Sequence, residues 1–544
     1  MSIITTSSEE FEIQNGTLYR YKGKQKNVVI PDNVSIIGEN AFYGKENIES
    51  IVVPSCVKAI KRAAFCFCRK LKHISLPEGL ETIEKSAFAL CISLTEVVVP
   101  QSVTTIGSRA FESCNHVINF VLPESLESIE EDTFKGCYSI EEITLPHSLR
   151  SIGNGAFHEC KRLQTVVFPE EMTRIGERAF ENCWELSSIS IPNSLVEIGD
   201  EAFNNCRTLS KVEGLLPHVE IGEKAFCGCA SLQNEDGFVI VSNVLFDYYG
   251  TDEAVVVPEG VSKIDTEAFC RDNCISSISF PESLKKISAF AFPFRIGRRI
   301  QEVHIKSLEQ WCHSFWLRHC FSSQYRLFVN DKLVTDLRIP DGITIIESSA
   351  FENAAIESVS FPDSLVEIGV AAFSGCTRLK TIYLPANVER VHFGAFRKCP
   401  GLVAFEIQNE RCKLIDEVLG DSLPEGLKPH AASLAKHMNT KALKQYVLKP
   451  DVWQRINEET KYEILLKQRT KSTIPLFAEL CKDNEIHNLA QKLLDKISTQ
   501  TTSKELASYL KFMSDFQTLL DPSLIEAFQK KANTFKSVRK AAKN

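Results

Sequence analysis

The chain has 544 residues, 44% of them hydrophobic and 24% charged, with a net charge of −8. This is the balance of an ordinary folded chain, and nothing global points to nucleic acid. No stretch approaches the ~18 apolar residues of a transmembrane helix, so no membrane partner is expected. Charge is unevenly spread: residues 416–544 carry a net +5, and residues 1–415 a net −13.

The N-terminal Met1-Ser-Ile-Ile-Thr-Thr-Ser-Ser-Glu-Glu10 has no basic start and no apolar run, so it does not read as a secretory signal. With nineteen cysteines, a cytoplasmic chain holding reduced thiols is expected. Phe11–Gly23 reads as a β-hairpin turning at Asn15-Gly16. It makes residues 1–29 a cap for whatever follows.

From residue 30 a repeat dominates. Phe42, Phe65, Phe88, Phe111, Phe134, Phe157, Phe180, Phe203 and Phe226 fall at a constant interval of 23. The beat resumes at Phe269 and Phe292, then at Phe351, Phe373 and Phe396. A proline precedes each phenylalanine by eleven residues, as Pro77 does Phe88, except Pro217, which stands nine before Phe226. The expectation is a solenoid of about fourteen coils. In the unit from Leu71 to Phe88, Ile74 and Leu76 alternate with Ser75, the period of a half-buried strand. Pro77 ends that strand, because proline cannot donate to a ladder. Leu80 and Ile83 point inward on the return path. Glycine follows this isoleucine in several units (Gly38, Gly107, Gly153, Gly176, Gly199), where a turn needs positive φ. Ala87 permits close approach, and Phe88 fills the centre.

The pattern L-x-x-I-x-L-P-x-x-L-x-x-I-x-x-x-A-F-x-x-C resembles the BspA-like, or Treponema pallidum-type, leucine-rich-repeat family over about residues 10–407. The resemblance implies a right-handed solenoid with a concave face lined by parallel strands. Members of that family include bacterial and protist surface proteins that bind host or matrix proteins. This chain differs from the exported members in its N-terminus.

Further along, the first block spans 30–235. Asp236–Gly250 echoes the N-terminal hairpin, so 236–257 reads as an internal hairpin that starts a second block, 258–415. That block carries an insertion at 306–337 containing Trp311 and Trp316. After Glu417 the proline and Ala-Phe signals vanish. Residues 416–429 read as a linker, and 430–544 as a small all-α domain of four to six short helices. Its amphipathic stretches include 451–469 and 485–497, the latter with Leu489, Leu493 and Leu494 at helical spacing.

Several groups invite a chemical reading. A cysteine lies three residues after each phenylalanine from Cys68 through Cys91, Cys114, Cys137, Cys160, Cys183 and Cys206 to Cys229, and again at Cys376 and Cys399. A ladder spreads these thiols one per coil, ~4.8 Å apart with parallel Cβ vectors, so they read as buried structural thiols rather than disulfides or a metal centre. Cys312, His313, His319 and Cys320 form C-H-x5-H-C, four potential zinc ligands, but the spacing matches no usual zinc pattern and reads as packing of the insertion. Gly153-Asn-Gly155 is a fragment of a nucleotide-binding loop without its context. No phosphate-binding, metalloprotease or nucleophile-elbow motif occurs, so no cofactor, metal or catalytic residue is assigned. Lys530, Lys531, Lys536, Arg539, Lys540 and Lys543 make a basic tail, read as frayed and solvated.

The candidate partner-binding residues are the outward strand positions Val52, Ser75, Val98, Val121, Thr144, Val167, Ser190, Glu213, Ser279, Ser360, Tyr383 and Glu406. The column lacks Lys and Arg, which argues for a protein or peptide ligand and against nucleic acid on this face. The leading expectation is a non-enzymatic, cytoplasmic protein-binding scaffold. The alternatives are a surface or secreted host-interaction protein exported without a standard signal peptide, and an enzymatic or nucleotide-binding activity in the helical domain.

Overall fold

The computed structural model describes residues 8–409 except 272, 273, 289, 314, 317–320 and 322; beyond these it describes 412–414, 418, 419, 427, 434, 438, 447, 448, 450–454, 456, 461, 464, 465, 473–481, 485–496 and 503–541. The architecture is a parallel-strand β-solenoid of about 16 turns followed by a few helices. Three longer strands are followed by no proline–Ala-Phe unit and carry the ladder beyond the fourteen coils expected: Glu302–Ile305, Arg326–Val329 and Ala404–Ile407. The chain divides into two compact units.

The first unit is Met1–Glu253 with Glu259–Cys274 and Ile287–Ile296. Most coils contribute a longer strand, such as Ser50–Val52 or Ser188–Ser190, and a second strand of two residues, such as Thr82–Ile83. The return path is therefore itself a ladder: Ile37 pairs with Ile60, Ile60 with Ile83 and Ile83 with Ile106. A further run links Ile129, Ile152, Ile175, Ile198 and Ile221. After most of these prolines the chain turns, with the proline carbonyl accepting the N–H three residues on, as Pro77 does from Leu80 at 3.0 Å.

The phenylalanines form the spine. From Phe42 to Phe226 successive rings lie 5.0–5.9 Å apart and nearly parallel. Every one of them is sealed from solvent. Two left-handed residues flank the ring in most coils, two before and two after: Arg109 and Ser113 around Phe111, Arg178 and Asn182 around Phe180. Left-handed backbone costs a non-glycine residue roughly 1–2 kcal/mol. The stacking recovers it, because both N–H groups then aim at carbonyls of the next coil: Arg178 at Asp200 and Asn182 at Asn204, each at 2.8 Å.

None of Gly38, Gly107, Gly153, Gly176 or Gly199 has positive φ, contrary to the expectation. These glycines answer to closeness instead. A Cβ at Gly107 would sit 2.6 Å from the Lys85 nitrogen, and one at Gly199 2.5 Å from the Glu177 nitrogen. The left-handed positions fall two residues further on.

Two hairpins interrupt the parallel pattern, Phe11–Gln14 with Thr17–Tyr21 and Phe238–Val241 with Val244–Tyr248. Their sequences align residue for residue, but their surroundings differ. Glu12, Gln14, Tyr19 and Arg20 of the first are exposed. Their counterparts Val239, Val241, Phe246 and Asp247 are buried. The first hairpin leaves one side of its sheet to solvent, and the second is covered on both.

The second unit is Ala254–Pro258, Ile275–Lys286 and Gly297–Asn544. Ala254–Val256, Ser277–Ser279, Glu302–Ile305 and Arg326–Val329 pair in parallel. The insertion thus keeps the ladder running, then folds back antiparallel through Lys332–Val334. Its helix Leu308–His313 buries Trp311, whose indole N–H donates to the Ala350 carbonyl at 2.7 Å. Asp336–Arg338, Ser358–Ser360, Thr381–Leu384 and Ala404–Ile407 form a second parallel sheet.

Among the described C-terminal residues are helices Pro450–Trp453, Ile474–Leu480, Glu485–Lys496, Ser503–Asp515 and Pro522–Ala541. Leu489, Leu493 and Leu494 are buried, as their spacing predicts. The linker 416–429 and the stretch 451–469 lie mostly outside the described residues. Lys530, Lys531, Lys536, Arg539 and Lys540 are not a frayed tail but the last turns of a 20-residue helix. Lys531 donates to the Leu494 carbonyl at 2.8 Å. Lys543 lies outside the described residues.

Candidate binding surface

The longer strands expose their first and third residues and bury the middle one, as in Glu96–Val98 and Asn119–Val121. The middle residue faces the spine because side chains alternate along a strand. The third residues form the column picked from sequence. Val52 pairs with Ser75, Val98 with Val121, Ser190 with Glu213 and Tyr383 with Glu406. Thr144 and Val167 directly follow the paired residues of Glu142–Ile143 and Thr165–Val166. Eleven of the twelve candidates are exposed, and Ser279 is half-buried.

The register adds residues that sequence reasoning missed. Val29 pairs with Val52, Val256 with Ser279, Ser279 with His304 and Arg338 with Ser360. Arg338 corrects the reading that this column lacks Lys and Arg. It was missed because the insertion hides the repeat boundary before Leu337. In the first unit the column is apolar over several rungs: Val98 is 51% exposed and Val167 77%. The first-position column beside it is polar, with Asn27, Ser50, His73, Glu96, Asn119, Glu142, Thr165, Ser188 and Lys211. In the first unit the face thus carries valines at five rungs, with Ser75 and Thr144 between them, edged by hydrogen-bonding groups.

A second surface feature was not foreseen. Four residues after successive phenylalanines, Lys161 lies 4.5 Å over Tyr138 and 4.7 Å over Trp184, and Arg207 lies 4.7 Å over Trp184. Inspection of that one column in the repeat alignment reveals the alternation of ring and cation.

The cysteine column has a definite role. Each thiol donates to the carbonyl of the preceding coil's phenylalanine: Cys91 to Phe65 at 3.1 Å, Cys137 to Phe111 at 3.2 Å, Cys206 to Phe180 at 3.2 Å. Cys376 and Cys399 do the same to Phe351 and Phe373. Burial pushes the Cys137 thiol up to about 12. Thiolate, the nucleophilic form, is therefore scarce at neutral pH. The folded chain should leave Cys137 unalkylated by iodoacetamide at pH 8, and denaturant should expose it; rapid labelling of the folded chain would contradict this packing. Cys137→Ala should cost about 1–2 kcal/mol, from the lost hydrogen bond and a small void.

Cys312 is buried, with its thiol likewise raised to about 12, and its proposed companions His319 and Cys320 lie outside the described residues. Gly153 and Gly155 belong to an ordinary coil, with Gly155 at positive φ two residues before Phe157. Among the described residues, no three His, Cys, Asp or Glu gather as a metal site, and no helix is long and apolar enough to cross a membrane.

A repeating coil with two parallel ladders, an aromatic spine and one strand face open to solvent defines a leucine-rich-repeat protein. The chain matches the BspA type leucine rich repeat region, in 6 copies, over residues 12–140, 127–236, 239–324 and 322–419. The chain belongs to that family.

Among solved structures it is similar to a leucine-rich repeat protein from Bacteroides ovatus, with 21% identity, 76% of this chain and 88% of that one covered, and a TM-score of 0.34. It is also similar to a leucine rich cell surface protein from Faecalibacterium prausnitzii, with 25% identity, 58% and 98% covered, and a TM-score of 0.37. A third is the T. pallidum leucine rich repeat protein, with 28% identity, 42% and 89% covered, and a TM-score of 0.26. No curated protein matches the chain.

Proposed function

We propose that the chain is a non-enzymatic scaffold acting in the cytoplasm, whose longer-strand face receives a protein or peptide. The observation that carries this is the exposed valine column. Val29, Val52, Val98, Val121 and Val167 repeat in register on a face whose neighbouring column is polar. Isolated exposed apolar residues need no explanation, but a periodic row on one face marks an interaction site. The family supports a binding role, and the buried, hydrogen-bonded thiols suit a reducing compartment.

The test uses wild type and a Val98→Asp/Val121→Asp/Val167→Asp variant as baits in extracts of the source cell. Surface changes of this kind shift stability by roughly 0.5 kcal/mol each, so the fold should persist. The expected result is at least tenfold weaker capture of specific partners by the variant. Equal capture by both baits would remove the strand face from the reading. Fractionation tests the compartment: protein recovered only outside the cell would replace the cytoplasmic assignment with a surface or secreted role.

A further inference from the structure

At the internal hairpin the regular stacking gives way. In ordinary coils the two left-handed residues flanking phenylalanine donate to carbonyls of the next coil. Around Phe226 the corresponding groups are Lys224 and Gly228, and both donate to carboxylates instead. The Lys224 N–H reaches Asp265 at 2.6 Å, and the Gly228 N–H reaches Asp247 at 3.0 Å. Asp247 is fully buried. It pairs with the Arg271 guanidinium at 2.6 Å, and that guanidinium lies 3.6 Å over the Tyr249 ring.

Two thiols complete the cluster. Cys227 and Cys270 each directly follow a spine phenylalanine, Phe226 and Phe269, on segments held in register by the Lys224–Glu267 ion pair at 2.9 Å and by the hydrogen bond that Thr266 donates to Glu223 at 3.0 Å, contacts that span the same 43 residues as the two cysteines. The Cys227 sulfur also lies 3.9 Å from Asp247. Cys270 is exposed and Cys227 partly so, whereas the ladder thiols are buried and committed to phenylalanine carbonyls. The neighbouring Cys227 thiol holds the Cys270 thiol below its usual range, with Arg271 nearby adding to the effect. Thiolate character and access decide which cysteine oxidises first.

We propose that Cys227 and Cys270 form an oxidation site, closing to a disulfide across the internal hairpin when the chain meets a peroxide. The Cys270 thiolate attacks one peroxide oxygen and the O–O bond breaks. Cys270 becomes a sulfenic acid, and the hydroxide released takes up the thiol proton as water. The Cys227 sulfur then attacks the sulfenic sulfur. The S–S bond forms, the S–O bond breaks, and a second water leaves with the Cys227 proton. Two thiols lose two electrons to one peroxide. With the two segments already held in this register, the sulfurs close to the ~2.05 Å of a disulfide. Such a link ties a long loop and restricts the unfolded chain.

The experiment treats the full chain with hydrogen peroxide and maps disulfides by mass spectrometry after thiol blocking. The expected product is a Cys227–Cys270 cross-link, with Cys114, Cys137 and Cys160 still reduced. The oxidised chain should melt at least about 2 °C higher than the reduced one. Cys227→Ser and Cys270→Ser should each abolish that shift. A Cys270 that stops at the sulfenic or sulfinic acid without joining Cys227 would overturn the proposal. So would a product in which ladder thiols oxidise as readily. Because mapping is done on wild type, a variant that folds poorly leaves the conclusion intact.

Discussion

Phe134→Ala will destabilise the chain by about 3–5 kcal/mol, the cost of emptying a large buried site that cannot collapse. Phe134 is inaccessible to solvent. Its ring stacks between Phe111 at 5.9 Å and Phe157 at 5.3 Å, and meets the Phe120 edge at 4.7 Å. Each such pair adds roughly 0.5–1.5 kcal/mol beyond burial. The effect should exceed that of a terminal rung, because a central coil loses an interface on both sides. Urea unfolding followed by far-UV circular dichroism measures it. A variant with the wild-type midpoint would show that the spine does not carry the stability of the coils.

Asp247→Ala should be as damaging, at about 3–5 kcal/mol, for an electrostatic reason. The carboxylate accepts from the Gly228 and Tyr248 N–H groups and pairs with Arg271. Removing it leaves buried donors and a cation without their acceptor, which costs more than the pair itself contributes. The N-terminal hairpin supplies the control. Arg20 occupies the matching position and is exposed, so Arg20→Ala should change stability by no more than ~0.5 kcal/mol. Similar losses from both substitutions would mean that the two hairpins are stabilised alike and that Asp247 has no junction role.

The two hairpins show how far the sequence could be read. Their likeness is plain in Phe11–Gly23 and Phe238–Gly250. The exchange of Glu12, Gln14 and Tyr19 for Val239, Val241 and Phe246 already signals that one is open on a side and the other is covered. The meaning of Asp247 was not legible, because an acid in an apolar hairpin is as compatible with a turn as with a buried acceptor. Its partners Gly228 and Arg271 lie 19 and 24 residues away. The cysteine column was legible as buried, but not as a set of donors, since each acceptor stands 26 residues earlier in most coils. The glycines after the return isoleucine were assigned the right residue type for the wrong cause. Their neighbour is the backbone of the adjacent coil, which no local turn rule describes. In the binding column, Arg338 stayed hidden because its strand begins where the insertion ends.

By itself the sequence determined the period, the residue at the centre of each coil and the side of the strand that meets solvent. It could do so because a stacked coil buries its apolar surface only when like positions superpose, and that demand repeats every turn. Only the tertiary structure decided which N–H groups at the junction meet carboxylates instead of carbonyls, and which two cysteine-bearing segments are brought together. Those contacts join coils whose spacing the hairpin alters, so their partners follow from three-dimensional proximity and from no fixed separation along the chain.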